Sequence, residues 1–283
     1  MAVLMRLAAR MPLWAAHAVG ALLGWLVYAA SPSYRRRFRD HLAASRLAPD
    51  EAALRRLRRA AIAHAGKAMM ELAVIWGRPL PEVVAWVRCE GWQYVEAALA
   101  EGRGLILLTP HLGCFEVAAL YAAQRIPLTV LYRPPKLRWL ASPMAKGRAR
   151  GGMKLAPTDV TGVRRLFAAL KRGEAVGLLP DQVPGAGEGV WAPFFGRPAY
   201  TMTLVSKLAV KTGAPVLLAV ARRLPRGRGY HLSLRPLPFP FTGEKVQDAG
   251  LVNAAIESLV RECPEQYLWS YNRYKRPRGA RPA

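Results

Sequence analysis

In the stretch His111-Leu-Gly-Cys-Phe-Glu116 an imidazole and a carboxylate flank four residues directly after the apolar run 104–109. The spacing predicts His111 at a helix N-terminus and Glu116 about one turn inside. The carboxylate is then expected to accept a hydrogen bond from one ring nitrogen, leaving the other nitrogen to take a proton, as a general base must. The helix dipole disfavours imidazolium and the carboxylate favours it, so the two act on the ring in opposite directions. The bland alternative is a histidine capping a helix with a glutamate on its exposed face. Cys114, inside the same stretch, raises a different chemistry, a Cys-His nucleophile with a transient acyl-enzyme. Its rival is a small buried thiol in an ordinary core position.

The elements that must position these groups are short apolar runs alternating with helical stretches. The runs are 104–109, 127–132, 174–179 and 214–221, with helices at about 112–125, 159–172 and 201–212, the last with Thr201 as N-cap. A further strand near 230–235 and a helix near 250–262 complete the pattern. Continuous apolar runs followed by helices predict an α/β domain whose central sheet is mostly parallel and covered by helices on both faces. The first three runs end on Thr109-Pro110-His111, Tyr132-Arg133-Pro134 and Pro180-Asp181-Gln182. Ligands in open α/β sheets bind beyond the carboxyl ends of the strands, so these three ends are expected to converge on one site.

Upstream, apolar residues recur at helical spacing from Pro49 to Gly77, with Asp50 as N-cap and Gly77 as stop. Before that helix, residues 12–30 form 19 uncharged positions, long enough to cross a hydrocarbon core of about 30 Å as a helix. A cleaved signal peptide is the alternative, since Arg6 and Arg10 precede the stretch and Ala29-Ala30 end it. Arg35, Arg36, Arg37 and Arg39 follow at once and resist translocation, which favours an uncleaved anchor with its C-terminal side in the cytoplasm. Whether it spans or lies in the interface is open at this level. The expected organisation is an N-terminal membrane anchor over 1–32, an α/β domain over 33–276 and a basic disordered tail over 277–283.

The 283 residues carry 42 Lys and Arg against 18 Asp and Glu, a net charge of +24. Such a balance calls for anionic partners: nucleic acid, an anionic membrane, or an acidic protein or phosphorylated substrate. A juxtamembrane basic cluster is attracted to anionic lipid by about 1 kcal/mol per charge. The three cysteines, Cys89, Cys114 and Cys263, are odd in number and far apart, which excludes a disulfide framework or a CxxC metal site.

His-x4-Glu after an apolar strand resembles the signature of the glycerolipid acyltransferase superfamily. Ordered blocks narrow the resemblance to the late lauroyl/myristoyl acyltransferases of lipid A biosynthesis: Tyr-Arg-Pro at 132–134, Pro-Asp-Gln at 180–182, Phe-Phe-Gly-x-x-Ala-x-Thr at 194–201, Gly-Ala-Pro-Val at 213–216 and the C-terminal Gln-Tyr-Leu-Trp with Asn-Arg-Tyr-Lys at 266–275. The resemblance implies transfer of an acyl chain from acyl carrier protein, or from coenzyme A, to a hydroxyl of a phosphorylated glucosamine lipid at the inner membrane. It implies no covalent intermediate, metal or cofactor, the thioester being a co-substrate. His111 would deprotonate the acceptor and Glu116 orient the ring, while backbone N–H groups near Gly113 or the Arg133 side chain meet the oxyanion. Substrate binding would fall to Arg133, Arg150, Asp181 and Gln182, and an acyl groove to Trp191, Phe194 and Phe195 in the Gly/Pro-rich loop 184–198. Each has a plainer alternative: a solvent-facing arginine for Arg133, loop capping for Asp181 and Gln182, satellite core for the aromatics. Family members often read His-Arg-Arg-Phe-Lys where this chain has Tyr271-Asn272-Arg273-Tyr274-Lys275, leaving fewer cations at the end expected to face the acceptor.

Competing functions share some of these features. A lysophospholipid or ornithine-lipid acyltransferase would use the same pair on another acceptor. A basic protein binding nucleic acid or membrane without catalysis would explain the charge, but no helix-turn-helix, RNP or zinc-finger pattern is present to read bases, and a nucleic-acid partner is not expected.

Overall fold

Residues 9–135 and 137–280 are described by the structure, a computed structural model. Helix α1 (Leu13–Ala30) and α2 (Pro32–Ala44) lead into the long α3 (Glu51–Gly77). Asp50 caps α3 as expected, accepting from the Ala53 N–H at 2.7 Å. Then follow α4 (Leu80–Ala85), β1 (Val87–Glu90), α5 (Trp92–Ala100), β2 (Leu105–Leu108), α6 (Phe115–Ala123), β3 (Leu128–Tyr132), α7 (Arg138–Arg148) and β4 (Lys154–Pro157). The second half adds α8 (Val160–Lys171), β5 (Ala175–Leu178), β6 (Gly189–Phe194), β7 (Arg197–Met202), α9 (Leu204–Thr212), β8 (Val216–Arg223), β9 (Tyr230–Pro236) and α10 (Lys245–Glu262).

The seven-stranded sheet has the order β1-β9-β8-β2-β5-β3-β4. Only the β8–β9 pair in it is antiparallel, so the mostly parallel α/β reading holds. Strands β2 and β5 are buried at every residue, because a parallel strand covered on both faces has no solvent side to leave polar. One face carries a core of Phe38, Ile62, Leu166, Leu208 and Ile256, contributed by α2, α3, α8, α9 and α10. The opposite face packs Ile75, Val83, Val95 and Val117 from α3, α4, α5 and α6.

Three expectations change. Residues 189–202 form an antiparallel hairpin where 184–198 read as a loop. Its two-residue turn, Phe195-Gly196, has positive φ at both positions (46° and 70°), the backbone of a tight hairpin turn with a phenylalanine in a place that favours glycine or asparagine. Thr201 lies in β7, and the N-cap position of α9 falls to Thr203. In the tail expected to be disordered, Ala280 is buried against Val183 and Tyr200; residues 281–283 lie outside the described residues, as does Arg6.

Candidate active site

Strands β2 and β5 are neighbours, with Leu108 paired to Leu178. Three residues beyond that pair, the chain reaches His111 on one strand and Asp181 on the other. One oxygen of Asp181 accepts from His111 Nδ1 at 2.8 Å and the second from the His111 backbone N–H, also at 2.8 Å. With Nδ1 carrying the proton, Nε2 is left with its lone pair, toward which the Gln182 amide nitrogen points at 3.0 Å. Asp181 is only 2% exposed. Burial alone would raise its carboxyl, but the imidazole, its hydrogen bonds and the Arg273 guanidinium together hold it below the ordinary carboxylate value.

The orienting carboxylate is therefore Asp181 and not Glu116. Glu116 lies in the first turn of α6, where its carboxylate takes Nε of Arg148 at 2.7 Å and a second contact from the same guanidinium. Trp76 Nε1 donates to it at 3.4 Å. A guanidinium fork satisfies a buried carboxylate better than one imidazole N–H does. Glu116 remains in the site, because both it and Arg148 line the same cavity as His111. Arg148 went unnoticed in the sequence, where Arg150 was the expected binder two positions along. Arg150 instead donates to the carbonyls of Gly147, Arg78 and Ile75 at 2.7–2.9 Å, tying the end of α3 to α7, and burial lowers its pKa.

The turn between His111 and α6 is clamped from behind. Gly113, at φ 61°, lies so close to β8 that a Cβ would come within 2.1 Å of the Ala221 carbonyl. Its N–H donates to the Gln266 carbonyl at 3.1 Å and that of Cys114 to Ala221 at 2.8 Å. The Gly113 and Cys114 N–H groups, two of the backbone donors expected to meet an oxyanion there, are thus already occupied. The Gly113 carbonyl accepts from Arg223 Nη2 at 2.7 Å, and Arg223 is itself held by Glu71, whose second oxygen also takes the Tyr230 hydroxyl at 3.1 Å. Glu71 and Arg223 are positioning residues that a sequence pattern of separate helices and strands did not single out. Cys114 is buried beside them, and burial together with the Glu71 charge pushes its thiol well up, the reverse of what a thiolate nucleophile needs.

A cavity of about 610 Å³ opens in front of His111, within the range of small-ligand sites. Its walls are largely apolar, with Leu107, Val130, Met144, Met153, Val163 and Met202 among them. Arg133 and Gln182 also line it, so the three strand ends converge as expected. Arg133 is exposed and its Nε donates to Thr158 Oγ1 at 3.3 Å. The acyl-groove aromatics are elsewhere: Phe194 and Phe195 belong to the main core, and Trp191 stacks edge-on to Tyr200, 5.4 Å between centroids. The plainer reading holds for them. Arg273, expected to face an acceptor, is 2% exposed and donates to the Tyr200 carbonyl, Thr201 Oγ1 and Asn253 Oδ1.

Comparison with known proteins finds a match to the family model described as bacterial lipid A biosynthesis acyltransferase over residues 1–276. The chain is 31% identical to the lipid A biosynthesis lauroyltransferase of Escherichia coli K12 over 220 residues, 76% of this chain and 70% of that one. It is 29% identical to the palmitoleoyltransferase of the same organism over 219 residues, with the same coverage. A phosphatidylinositol mannoside acyltransferase of Mycobacterium tuberculosis is 31% identical over 131 residues, 45% of this chain and 41% of that one.

Proposed function

Since the chain belongs to the bacterial lipid A biosynthesis acyltransferase family, we propose that it moves a fatty acyl group from a thioester of acyl carrier protein or coenzyme A to a hydroxyl of a lipid A precursor, with His111 as general base. The observation that carries this reading is the His111 ring, fixed by Asp181 at Nδ1 with its Nε2 lone pair beside a largely apolar cavity, where the acceptor hydroxyl takes the place of the Gln182 amide. Nε2 takes the hydroxyl proton as the oxygen attacks the thioester carbonyl carbon. The tetrahedral oxyanion then collapses, the C–S bond breaks, and the imidazolium returns its proton to the leaving thiolate. No covalent acyl-enzyme is required.

With the Gly113 and Cys114 N–H groups occupied, the oxyanion is met by the side chains on the cavity wall, the Arg133 and Arg148 guanidinium groups. Glu116 fixes one edge of Arg148 and so its direction. The acyl chain takes the apolar wall, and the basic surface suits both an acidic carrier protein and a phosphorylated lipid at the cytoplasmic face of the inner membrane. The test is an assay of purified protein with acyl carrier protein and coenzyme A thioesters and several acceptors, read by mass spectrometry. Acylation of a lipid A precursor by wild type, absent in His111→Ala, is expected; acylation of lysophospholipid or ornithine lipid alone overturns the acceptor assignment.

A further inference from the structure

Helix α1 has 18 residues and, at 1.5 Å per residue, is about 27 Å long, nearly the thickness of a hydrocarbon core. By length and composition it is a candidate span. Its packing argues otherwise. Leu13, Ala16, His17, Gly20 and Gly24 form a buried stripe along it. A Cβ on Gly20 would come within 2.8 Å of the Gly66 carbonyl of α3, and one on Gly24 within 2.4 Å of the Ile62 carbonyl, so the two helices touch backbone to backbone.

The attachment runs end to end. Before α1, Arg78 Nε donates to the Ala9 carbonyl at 2.8 Å and its Nη2 to the Met11 carbonyl at 3.0 Å. Trp14 abuts Gly227 in the turn between β8 and β9. In the middle His17 Nε2 meets Glu71 at 3.3 Å, and near the far end the Tyr28 ring packs on Phe38, 5.8 Å between centroids. A helix crossing a bilayer has its ends on opposite sides. Both ends of α1 rest on one folded domain, and for α1 to cross in this arrangement Lys67, Glu71, Arg78 and the β8–β9 turn would have to enter hydrocarbon with it.

The other face is apolar and is not covered by any of the described residues. Trp14 and Leu22 are each 62% exposed and Leu26 55%, with Leu23 and Trp25 at 41% completing the stripe. Basic residues bracket it: Arg10 before the helix, and beyond it Arg36 and Arg39, while Arg35 folds back onto the Ala29 carbonyl at 3.1 Å. Tryptophan in an apolar stripe flanked by arginine is the composition of a helix lying at the headgroup level of an anionic leaflet.

We propose that α1 does not span the membrane but is a docked, monotopic element: its inner face belongs to the catalytic domain, its outer stripe sinks into one anionic leaflet, and both its ends stay on the side of the bilayer that holds the active site. His17, Glu71, Arg223 and the Gly113 carbonyl then join the lipid-facing helix to the catalytic turn by direct contacts. The inference stands apart from the acyl-transfer reading, since its test needs no turnover.

The full chain, tagged at the N-terminus in one version and the C-terminus in another, is expressed in a Gram-negative host and exposed to protease in intact spheroplasts and after lysis. Both tags are expected to survive in intact spheroplasts and to be cleaved after lysis; cleavage of the N-terminal tag alone in intact spheroplasts overturns the proposal. In flotation, wild type is expected to rise with phosphatidylethanolamine/phosphatidylglycerol vesicles, and Leu22→Glu/Leu26→Glu, with unchanged melting temperature, to lose at least about tenfold of that binding. Flotation unaffected by the double substitution overturns the proposal. So does a wild-type dimer that the substitution dissociates without changing flotation, which would assign the stripe to a second copy.

Discussion

Two Glu–Arg pairs with buried carboxylates stand on either side of the turn from His111 to Cys114, and they differ in what they face. Glu71 and Arg223 are 1% and 5% exposed, with His17 and Tyr230 closing the remaining positions on the carboxylate, and their outward contact is the Gly113 carbonyl. Glu116 and Arg148 use the same chemistry but border the cavity that His111 faces. A buried ion pair is by itself weak evidence of function. Access separates the two: the sealed pair holds backbone in place, and the open pair presents a fixed guanidinium to whatever enters.

The sharpest test lies on the open side. His111→Ala is expected to lower kcat of the folded fraction by about 10²–10⁴, the worth of a general base, with some loss of melting temperature because the buried Asp181 loses its imidazole partner. Asp181→Asn should lose most of the turnover as well, since an amide in place of the carboxylate no longer fixes the proton on Nδ1. Turnover within about threefold of wild type in either variant would remove the assigned base or its partner.

The sealed side should fail by unfolding instead. Glu71→Gln leaves Arg223 charged and incompletely paired in the interior, at an expected cost of about 3–5 kcal/mol in chemical denaturation at pH 7. Arg223 holds the Glu71 carboxyl down at about 2 against strong burial. A depressed carboxylate stabilises the fold above its unfolded value, so this contribution is complete above about pH 4.5 and is lost on acidification toward pH 2. His64, half-buried in the same region and pushed down to about 3 by burial and the charges of Lys67 and Arg223, must stay neutral; its contribution is lost over the higher window from about pH 6.5 down to 3. The difference in stability between wild type and Glu71→Gln is therefore expected to shrink chiefly below pH 4.5. A difference that stays constant down to pH 3 would contradict the assigned pairing.

Two arginines two residues apart sharpen the contrast at lower cost. Arg150→Met removes the donor to three carbonyls and is expected to cost about 2 kcal/mol of stability while leaving kcat of the folded fraction alone. Arg148→Met should lower kcat of the folded fraction as well as stability, because it leaves the buried Glu116 carboxylate with only the Trp76 N–H. The same kinetic loss in both variants would mean that α7 acts as a unit and that the cavity-facing role cannot be given to Arg148.

Fold class was legible because four apolar runs have the strand length and burial of a parallel sheet, and the three strand ends did meet. The order of strands was not. No local pattern states that β2 neighbours β5, and that adjacency alone puts Asp181, three residues past a paired position, against His111. The eye falls on Glu116 because it is near in sequence, whereas hydrogen bonding follows the sheet register. Arg148 and Arg150 illustrate a second limit: the last residue of a helix and the second residue beyond it can face opposite ways, and the sequence does not say which of the two lines the cavity. The β6–β7 hairpin was hidden by its proline and glycine content, although its side chains alternate between buried and exposed at Ala192, Pro193 and Phe194.

Cys114 places the boundary between the two sides within a single turn. Its backbone N–H joins the His111–Glu116 stretch to β8, and its thiol lies on the Glu71 side, 3% exposed and driven well above the ordinary thiol value by burial and by that carboxylate. A nucleophilic role would require a thiolate at neutral pH, which both influences oppose. Cys114→Ala is therefore expected to keep turnover within about threefold of wild type and to cost about 1 kcal/mol, the usual scale for a small loss of core packing. Intact-protein mass spectrometry of wild type incubated with acyl thioester alone should show no added acyl mass. An acyl adduct that disappears in Cys114→Ala, together with lost turnover, would move the thiol to the open side and replace direct transfer with a two-step mechanism.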